Sequence, residues 1–412
     1  MINKMNIAII GGGQTAAYAA KEIRENDQNS GITIFSEENV LPYEKPPLSK
    51  DYLKDNKNFE NLLFFPEKFY DEKKIIIQLN TKIVDLDFKN KLILSKDNEK
   101  FNYDKLLLAN GAINRKINIK ELSNDNDVIY LRNKSECDNL KNKTKSAKNI
   151  LLIGGGFIGL EVAASINSEN NTVHVIEMNE SLMGRIIPKE ISNTIKKIHE
   201  DNGNKIYLNT TIKTLEKKGS NYEIFLSDNK ELKVDLIIIG IGSIPNTEIF
   251  EKTNLKINNG IEVNNYCETS IEDVYAAGDV ANFFHPFYNK NMRLESYTHA
   301  QNHGICAGKN MTGIKTSYEE IPWMWSDQFE YNLQLTGICD DYDTIFKRGA
   351  NLDEGIVLFF IKEGIINGAC GVGKLGKVGK DIKLASRISH RKIPVKGKQI
   401  EDKNFKLNKL LR

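Results

Sequence analysis

The chain has 412 residues, 40% hydrophobic and 27% charged, with a net charge of +2. That composition suits a globular protein of two or three domains, and the near-neutral balance excludes a dedicated nucleic-acid binder. No run of about 18 apolar residues is present, so no membrane span is expected, and five scattered cysteines without a C-x-x-C pair suit a reduced, cytoplasmic protein.

Residues 5–10 read as a buried strand, too short for a signal-peptide core. It runs into Gly11-Gly12-Gly13-Gln14-Thr15-Ala16, a G-x-G-x-x-A turn, and then into a helix-forming stretch, 17–24. Glycines in such a turn let the backbone approach a pyrophosphate, and the helix start offers free N–H groups to it. The next strand, 32–35, ends at Ser36-Glu37-Glu38. Glu37 lies 24 positions past Gly13, within reach of an adenosine ribose. In residues 41–53 the Pro46-Pro47 pair fixes two φ angles, and Ser49 is expected to cap a following helix. Lys50 ends this stiffened approach, either aimed into a site or simply solvated. Residues 75–101 are expected to form a β-meander of strands 75–79, 82–87 and 91–95. A buried strand through residues 103–109 closes on Gly111, with 112–118 as a linker.

The central segment repeats the plan. An apolar run ends in Gly154-Gly155-Gly156-Phe157-Ile158-Gly159, a G-x-G-x-x-G turn, and Leu160-Glu161 opens a helix. The strand 172–176 ends at Glu177, 21 positions past Gly156. A carboxylate there bonds a ribose 2′-hydroxyl and repels a 2′-phosphate, which favours NADH over NADPH, with Arg185 nearby in sequence working against that preference. Residues 235–242 mirror the first strand–glycine exit. This duplication points to two dinucleotides, a flavin and a nicotinamide exchanging electrons.

Asp279 follows a buried strand, either as a helix cap or as an acceptor for a ribityl hydroxyl. Residues 293–304 read as a helix whose positive end would favour an anionic reduced flavin. His299 and His303 have metal-like spacing, but no third ligand is visible and no metal is expected. From about residue 318 the pattern is a smaller α+β domain. Trp323 and Trp325 share a strand face there, as core or with one bordering the flavin. The lysine-rich stretch 374–412 reads as a solvated face, or one that attracts an acidic partner.

Pro46-Pro47-Leu48-Ser49-Lys50, residues 154–161 and 275–279, Arg293-Leu294-Glu295-Ser296 and residues 322–328 together resemble the ferredoxin reductase branch of the glutathione-reductase-like flavoproteins, the group of putidaredoxin and rubredoxin reductases. The resemblance implies an α/β fold with two Rossmann-like dinucleotide-binding domains, for FAD and NAD, the second inserted in the first, plus a C-terminal α+β domain. Residues 1–112 and 244–317 would form the FAD domain, 113–243 the NAD domain and 318–412 the C-terminal interface domain. It also implies FAD contacts at Gly11, Gly13, Gln14, Ala16, Glu37, Lys50, Ile83, Ala109, Gly111, Arg132, Asp279, Tyr297 and Trp325. NADH contacts would fall on Gly154, Gly156, Ile158, Gly159, Glu177, Arg185 and Gly242, with Lys50 and Glu161 as a catalytic pair beside the flavin. Asn110 and His299 depart from the family's usual threonine and asparagine.

The activity implied by the resemblance is that of an NADH-dependent ferredoxin reductase. Hydride would pass to FAD, then single electrons to a small iron–sulfur protein, a 2Fe–2S ferredoxin before a rubredoxin, feeding an oxygenase or P450. No nucleic-acid or membrane partner is implied, and the protein would be a monomer or homodimer. Disulfide reductases of this fold carry C-x-x-x-x-C where this chain has residues 44–49, and peroxide-reducing relatives a single cysteine. This chain has neither, so no thiol relay is expected. The competing readings are a reductase of quinones or monodehydroascorbate, and a redox-sensing binding protein resembling apoptosis-inducing factor.

Overall fold

The computed structural model describes residues 5–122 and 128–412. The chain divides into two compact units, each made of three segments. The first comprises Met1–Glu44, Phe59–Ile113 and Ser243–Glu320, the second Lys45–Asn58, Asn114–Gly242 and Ile321–Arg412. The second dinucleotide fold is thus inserted in the chain of the first.

The first unit is built on a five-stranded parallel sheet in the order Val274–Ala276, Lys105–Leu108, Asn6–Ile10, Gly31–Phe35, Ile75–Gln78. Ile7, Ile9, Leu106, Leu107 and Leu108 are all buried, the continuous apolar run expected of parallel strands covered on both faces. Ile75–Gln78, expected as the first strand of the meander, instead pairs in parallel with Gly31–Phe35, Ile32 opposite Ile75. Its side chains alternate between buried and exposed, as an edge strand allows. The antiparallel meander is Ile83–Asp87, Leu92–Ser95 and Lys100–Asn102. Helix Gln14–Asn26 packs closely on helix Tyr297–Met311. At Gly304 a Cβ would stand 2.5 Å from the Thr15 carbonyl oxygen, and the Thr15 hydroxyl donates to Ala300 O at 2.9 Å.

The second unit repeats the topology, with parallel strands in the order Lys205–Tyr207, Thr172–Ile176, Asn149–Ile153, Leu236–Ile239, Val128–Tyr130. Its antiparallel meander is Ile212–Lys218, Asn221–Leu226 and Glu231–Val234. The C-terminal part adds a five-stranded antiparallel sheet, Trp323–Gln328, Tyr331–Gly337, Ile365–Lys374, Ile356–Lys362 and Thr344–Arg348.

The lysine-rich tail is not merely a solvated run. Helices Gly379–His390 and Gly397–Glu401 bury Ile382, Ala385, Ile388 and Ile400 in a core with Val357, Phe359 and Ile366. Arg348 pins the end of the chain by donating to the carbonyls of Ile400 at 2.9 Å and Phe405 at 2.9 Å.

Candidate functional site

In the first unit the turn after Asn6–Ile10 is shaped by Gly11, whose φ of +115° suits glycine and whose missing Cβ would collide with the Ala109 carbonyl. Gly13, the N-cap of the helix, has open space where its Cβ would be, so its surroundings demand no glycine there. Ala16 is fully buried behind it. The Gln14 amide nitrogen is buried without a protein partner. Ala109, Asn110 and Gly111 close the turn from the neighbouring strand; the Asn110 amide donates to Asn246 O at 2.5 Å and its Oδ1 is buried and unpaired. Glu37 stands at the strand end but is solvent-facing, its carboxylate 2.8 Å from Lys82 Nζ. Ile83 is buried at the start of the meander. Asp279 lies in the 3-10 turn Gly278–Val280, its carbonyl held by Arg293 at 3.1 Å.

The expected helix over residues 293–304 begins later, at Tyr297. Ser296 is its cap, accepting from His299 N at 3.3 Å, because residues 290–292 pair as a strand first. The Tyr297 hydroxyl donates to Glu44 at 2.8 Å, and burial, with Glu44 second, pushes it up. His299 and His303 are wholly buried in this unit. His299 Nδ1 meets the Tyr318 hydroxyl at 2.9 Å and His303 Nδ1 accepts from Gly278 N at 3.1 Å. Among the described residues no cluster of metal ligands exists.

In the second unit Gly154 has φ +107°, and a Cβ there would stand 2.5 Å from the Gly240 carbonyl oxygen. Gly156 caps helix Phe157–Ile166, and Gly159 lies against the Gly154 backbone. Glu177 is buried at the strand end. It accepts from Gly155 N at 2.8 Å, Asn179 N at 2.9 Å and the Asn179 amide at 2.6 Å. The acid therefore also braces the glycine turn. Ile158, Arg185 and Gly242 are exposed. Arg132 anchors helix Lys134–Thr144, its N–H donating to Glu136 at 2.6 Å.

The same unit holds an ion pair centred on Glu161. Pro46–Ser49 forms a 3-10 helix and Lys50 ends it at φ −131°, ψ −113°. Lys50 Nζ lies 3.1 Å from Glu161 Oε1 and 3.5 Å from Asp327 Oδ2, and 5.3 Å from the centre of the Trp325 ring. The Lys50 side chain is 14% exposed and that of Glu161 only 4%. Ser49 is not the cap of a following helix. Its hydroxyl donates to Glu161 Oε2 at 2.5 Å, because the turn ends before any helix begins. Ser326 donates to Glu161 Oε1 at 2.6 Å. Burial pushes the Glu161 carboxyl up, while Lys50, Ser326 and Ser49 pull it back down. Trp325 stacks on Trp323 with ring centres 5.0 Å apart, and Trp323 joins the C-terminal core.

The structure thus groups Lys50, Glu161 and Trp325, and separately gathers each glycine turn with its strand-end acid. Sequence reasoning misses Ser326, Asp327 and Gln328 as site residues, although residues 322–328 stand out as a stretch. Their alternation with two tryptophans reads as a packed strand, and only the fold brings Ser326 to Glu161.

A family model described as Pyridine nucleotide-disulphide oxidoreductase matches residues 5–304, and one described as Reductase C-terminal matches residues 323–411. The rhodocoxin reductase of Rhodococcus erythropolis is 32% identical over 404 residues, covering 98% of this chain and 93% of that protein. The rubredoxin-NAD(+) reductase of Ectopseudomonas oleovorans is 34% identical over 342 residues, covering 83% and 89%. Among solved structures, the ferredoxin reductase for the CYP199A2 system from Rhodopseudomonas palustris matches with a TM-score of 0.93 at 30% identity, covering 98% of this chain and 99% of that one. The covalent putidaredoxin reductase–putidaredoxin complex matches with a TM-score of 0.92 at 25% identity, covering 99% and 98%.

Proposed function

The chain belongs to the pyridine nucleotide-disulphide oxidoreductase family and ends in a Reductase C-terminal domain, and from that premise we propose that it is an NADH-dependent, FAD-containing reductase of a small iron–sulfur protein. A 2Fe–2S ferredoxin is the first choice of acceptor and a rubredoxin the second; the relatives' names include reductases of a ferredoxin and of a rubredoxin.

The residues fit both cofactors. In the first unit, a turn closed to any side chain at Gly11 and an unpartnered buried Gln14 amide suit the pyrophosphate of FAD. Gly13, Ala16, Glu37, Ile83, Ala109, Gly111, Asp279 and Tyr297 would complete that set. In the second unit, Gly154, Gly156, Ile158, Gly159, Glu177, Arg185 and Gly242 would hold NADH, and the Glu177 carboxylate disfavours a 2′-phosphate. Bound FAD supplies acceptance of a hydride and release of its two electrons one at a time, which joins a two-electron donor to a one-electron carrier.

The observation that carries this reading is the buried Lys50–Glu161 pair in a chain that has no cysteine in residues 44–49. Burial pushes Cys137 up to about 12 and Cys339 likewise to about 12, so neither offers a thiolate. The ammonium of Lys50 would instead supply fixed positive charge, which favours electron density added to a flavin. Glu161 orients that ammonium, which it shares with Asp327. Five free cysteines also suit a protein of the reducing cytoplasm.

Anaerobic stopped-flow reduction by NADH tests the assignment. Lys50→Ala and Glu161→Ala should each slow flavin reduction at least about tenfold, roughly 1.4 kcal/mol of barrier. Wild-type rates in both variants would refute it.

A further inference from the structure

Beyond Glu161, the second unit contains a run of buried polar side chains that the reaction as described does not use. Ser326, Gln328 and His199 are fully buried and Asn204 is nearly so. Gln328 Nε2 lies 2.8 Å from Ser326 Oγ, and Gln328 Oε1 lies 2.9 Å from His199 Nε2. His199 Nδ1 meets Asn204 Nδ2 at 3.0 Å, and Asn204 Oδ1 accepts from the partly exposed Asn167 at 2.8 Å.

Only one arrangement of protons satisfies all of these contacts. Asn167 fixes the Asn204 carbonyl oxygen, so the Asn204 amide nitrogen must donate to His199 Nδ1. The histidine then carries its proton on Nε2 and donates it to Gln328 Oε1. That leaves the Gln328 amide nitrogen to donate to Ser326, whose own hydroxyl proton goes to Glu161 Oε1. Burial favours the neutral imidazole this arrangement needs, lowering His199 to about 4.

We propose that Asn204, His199, Gln328 and Ser326 form a directional hydrogen-bond chain that fixes the Glu161 carboxylate against Lys50, which makes Ser326, Gln328 and His199 positioning residues for flavin reduction. The inference rests on the role given to Glu161 above. Two other arrangements for Glu161 are weaker. Ser49 reaches only Oε2, and Lys50 has a second carboxylate, Asp327, to turn to. Without the chain, Oε1 would be held only by an ammonium already shared with Asp327. The titratable groups facing Glu161 are Lys50 from the turn after Pro46–Ser49 and, across Lys50, Asp327 from Trp323–Gln328. Strand Asn149–Ile153 beneath the helix brings no titratable side chain, and His199 from helix Lys189–Asp201 acts only through Gln328.

A hydrogen bond to a charged group contributes about 1.5–3 kcal/mol, so losing one raises a carboxyl by about 1–2 pH units. The test is an infrared pH titration of the oxidised, FAD-loaded protein, following the protonated-carboxyl band that is missing in Glu161→Gln. In Ser326→Ala the band's midpoint should rise by about 1–2 units, and in Gln328→Met it should rise less but in the same direction. The main chain of both positions is held by pairing with Tyr331–Gly337, so the fold does not depend on either side chain. A wild-type midpoint in Ser326→Ala overturns the proposal, whatever NADH does. A shift in Ser326→Ala with none in Gln328→Met also overturns it, because the chain would then end at Ser326. If both midpoints rise while NADH still reduces the flavin at the wild-type rate, the chain stands and the role of Glu161 in reduction falls.

Discussion

The two glycine turns of this chain share a backbone plan and differ in what the eighth residue does. Counting from Gly11 and from Gly154, that residue is Tyr18 in the first helix and Glu161 in the second. Tyr18 is half-buried, hydrogen-bonds Tyr297 and packs edge-on against Phe64 and Phe65. Glu161 is buried with a lysine and two serines around it. The strand-end acids diverge too: Glu37 faces solvent and pairs with Lys82, whereas Glu177 is buried and bonded to its own glycine turn. One copy of the motif ends in an aromatic brace and the other in a charge. Duplication supplies the scaffold, and the chemistry sits in the residues that the duplication leaves free to differ.

Stability measurements sharpen that contrast most. Glu161→Ala leaves Lys50 without its buried counter-ion and should cost about 3–5 kcal/mol. Tyr18→Phe removes one hydrogen bond and should cost about 1 kcal/mol. Denaturant titration of the two variants reads the difference directly, and equal losses would erase it.

Acid should weaken both halves through their buried histidines. Burial lowers His299 to about 3 and His199 to about 4, so both are neutral in the fold while their unfolded values stay near 6.5. Each therefore contributes stability that is fully present above about pH 6.5 and is lost as pH falls toward the folded value, at up to about 1.4 kcal/mol per pH unit. His299→Asn should flatten the fall in melting temperature between pH 7 and 5, by calorimetry at about one-unit steps. An unchanged slope would mean that His299 is protonated in the fold.

The glycines separate ligand approach from packing. A Cβ at Gly13 meets nothing and one at Gly156 only grazes the Gly240 carbonyl at 3.8 Å. Alanine at either position should thus leave the fold within about 0.5 kcal/mol. Gly13→Ala should lower FAD occupancy, read from the flavin absorbance of the purified protein. Gly156→Ala should keep FAD and raise the KM for NADH. The opposite pairing would exchange the two cofactor assignments.

Much of the fold was legible because its signals are local. Apolar runs such as residues 150–153 ending in glycines mark buried strands, and Pro46-Pro47 marks the stiff turn before Lys50. Other features depend on tertiary closure. Nothing local distinguishes a parallel edge strand at Ile75–Gln78 from the first strand of a meander. The lysines of the tail mask the spacing of Ile382, Ala385 and Ile388, which pack on the C-terminal sheet. For the site, the proline-stiffened turn singles out Lys50, and only the family resemblance supplies Glu161 as its partner. Ser49 and Ser326 become visible only when a turn and a strand from opposite ends of the sequence meet one carboxylate.

The central claim is that electrons leave this protein for an iron–sulfur carrier without passing through a thiol. It is tested most directly by following cytochrome c reduction with NADH, the FAD-loaded protein and a 2Fe–2S ferredoxin, in the wild type and in a variant with all five cysteines replaced by serine or alanine. Rapid turnover that requires the ferredoxin and survives loss of the cysteines is the predicted result. Equal turnover without any iron–sulfur protein, or turnover that vanishes in the correctly folded cysteine-free variant, would contradict it.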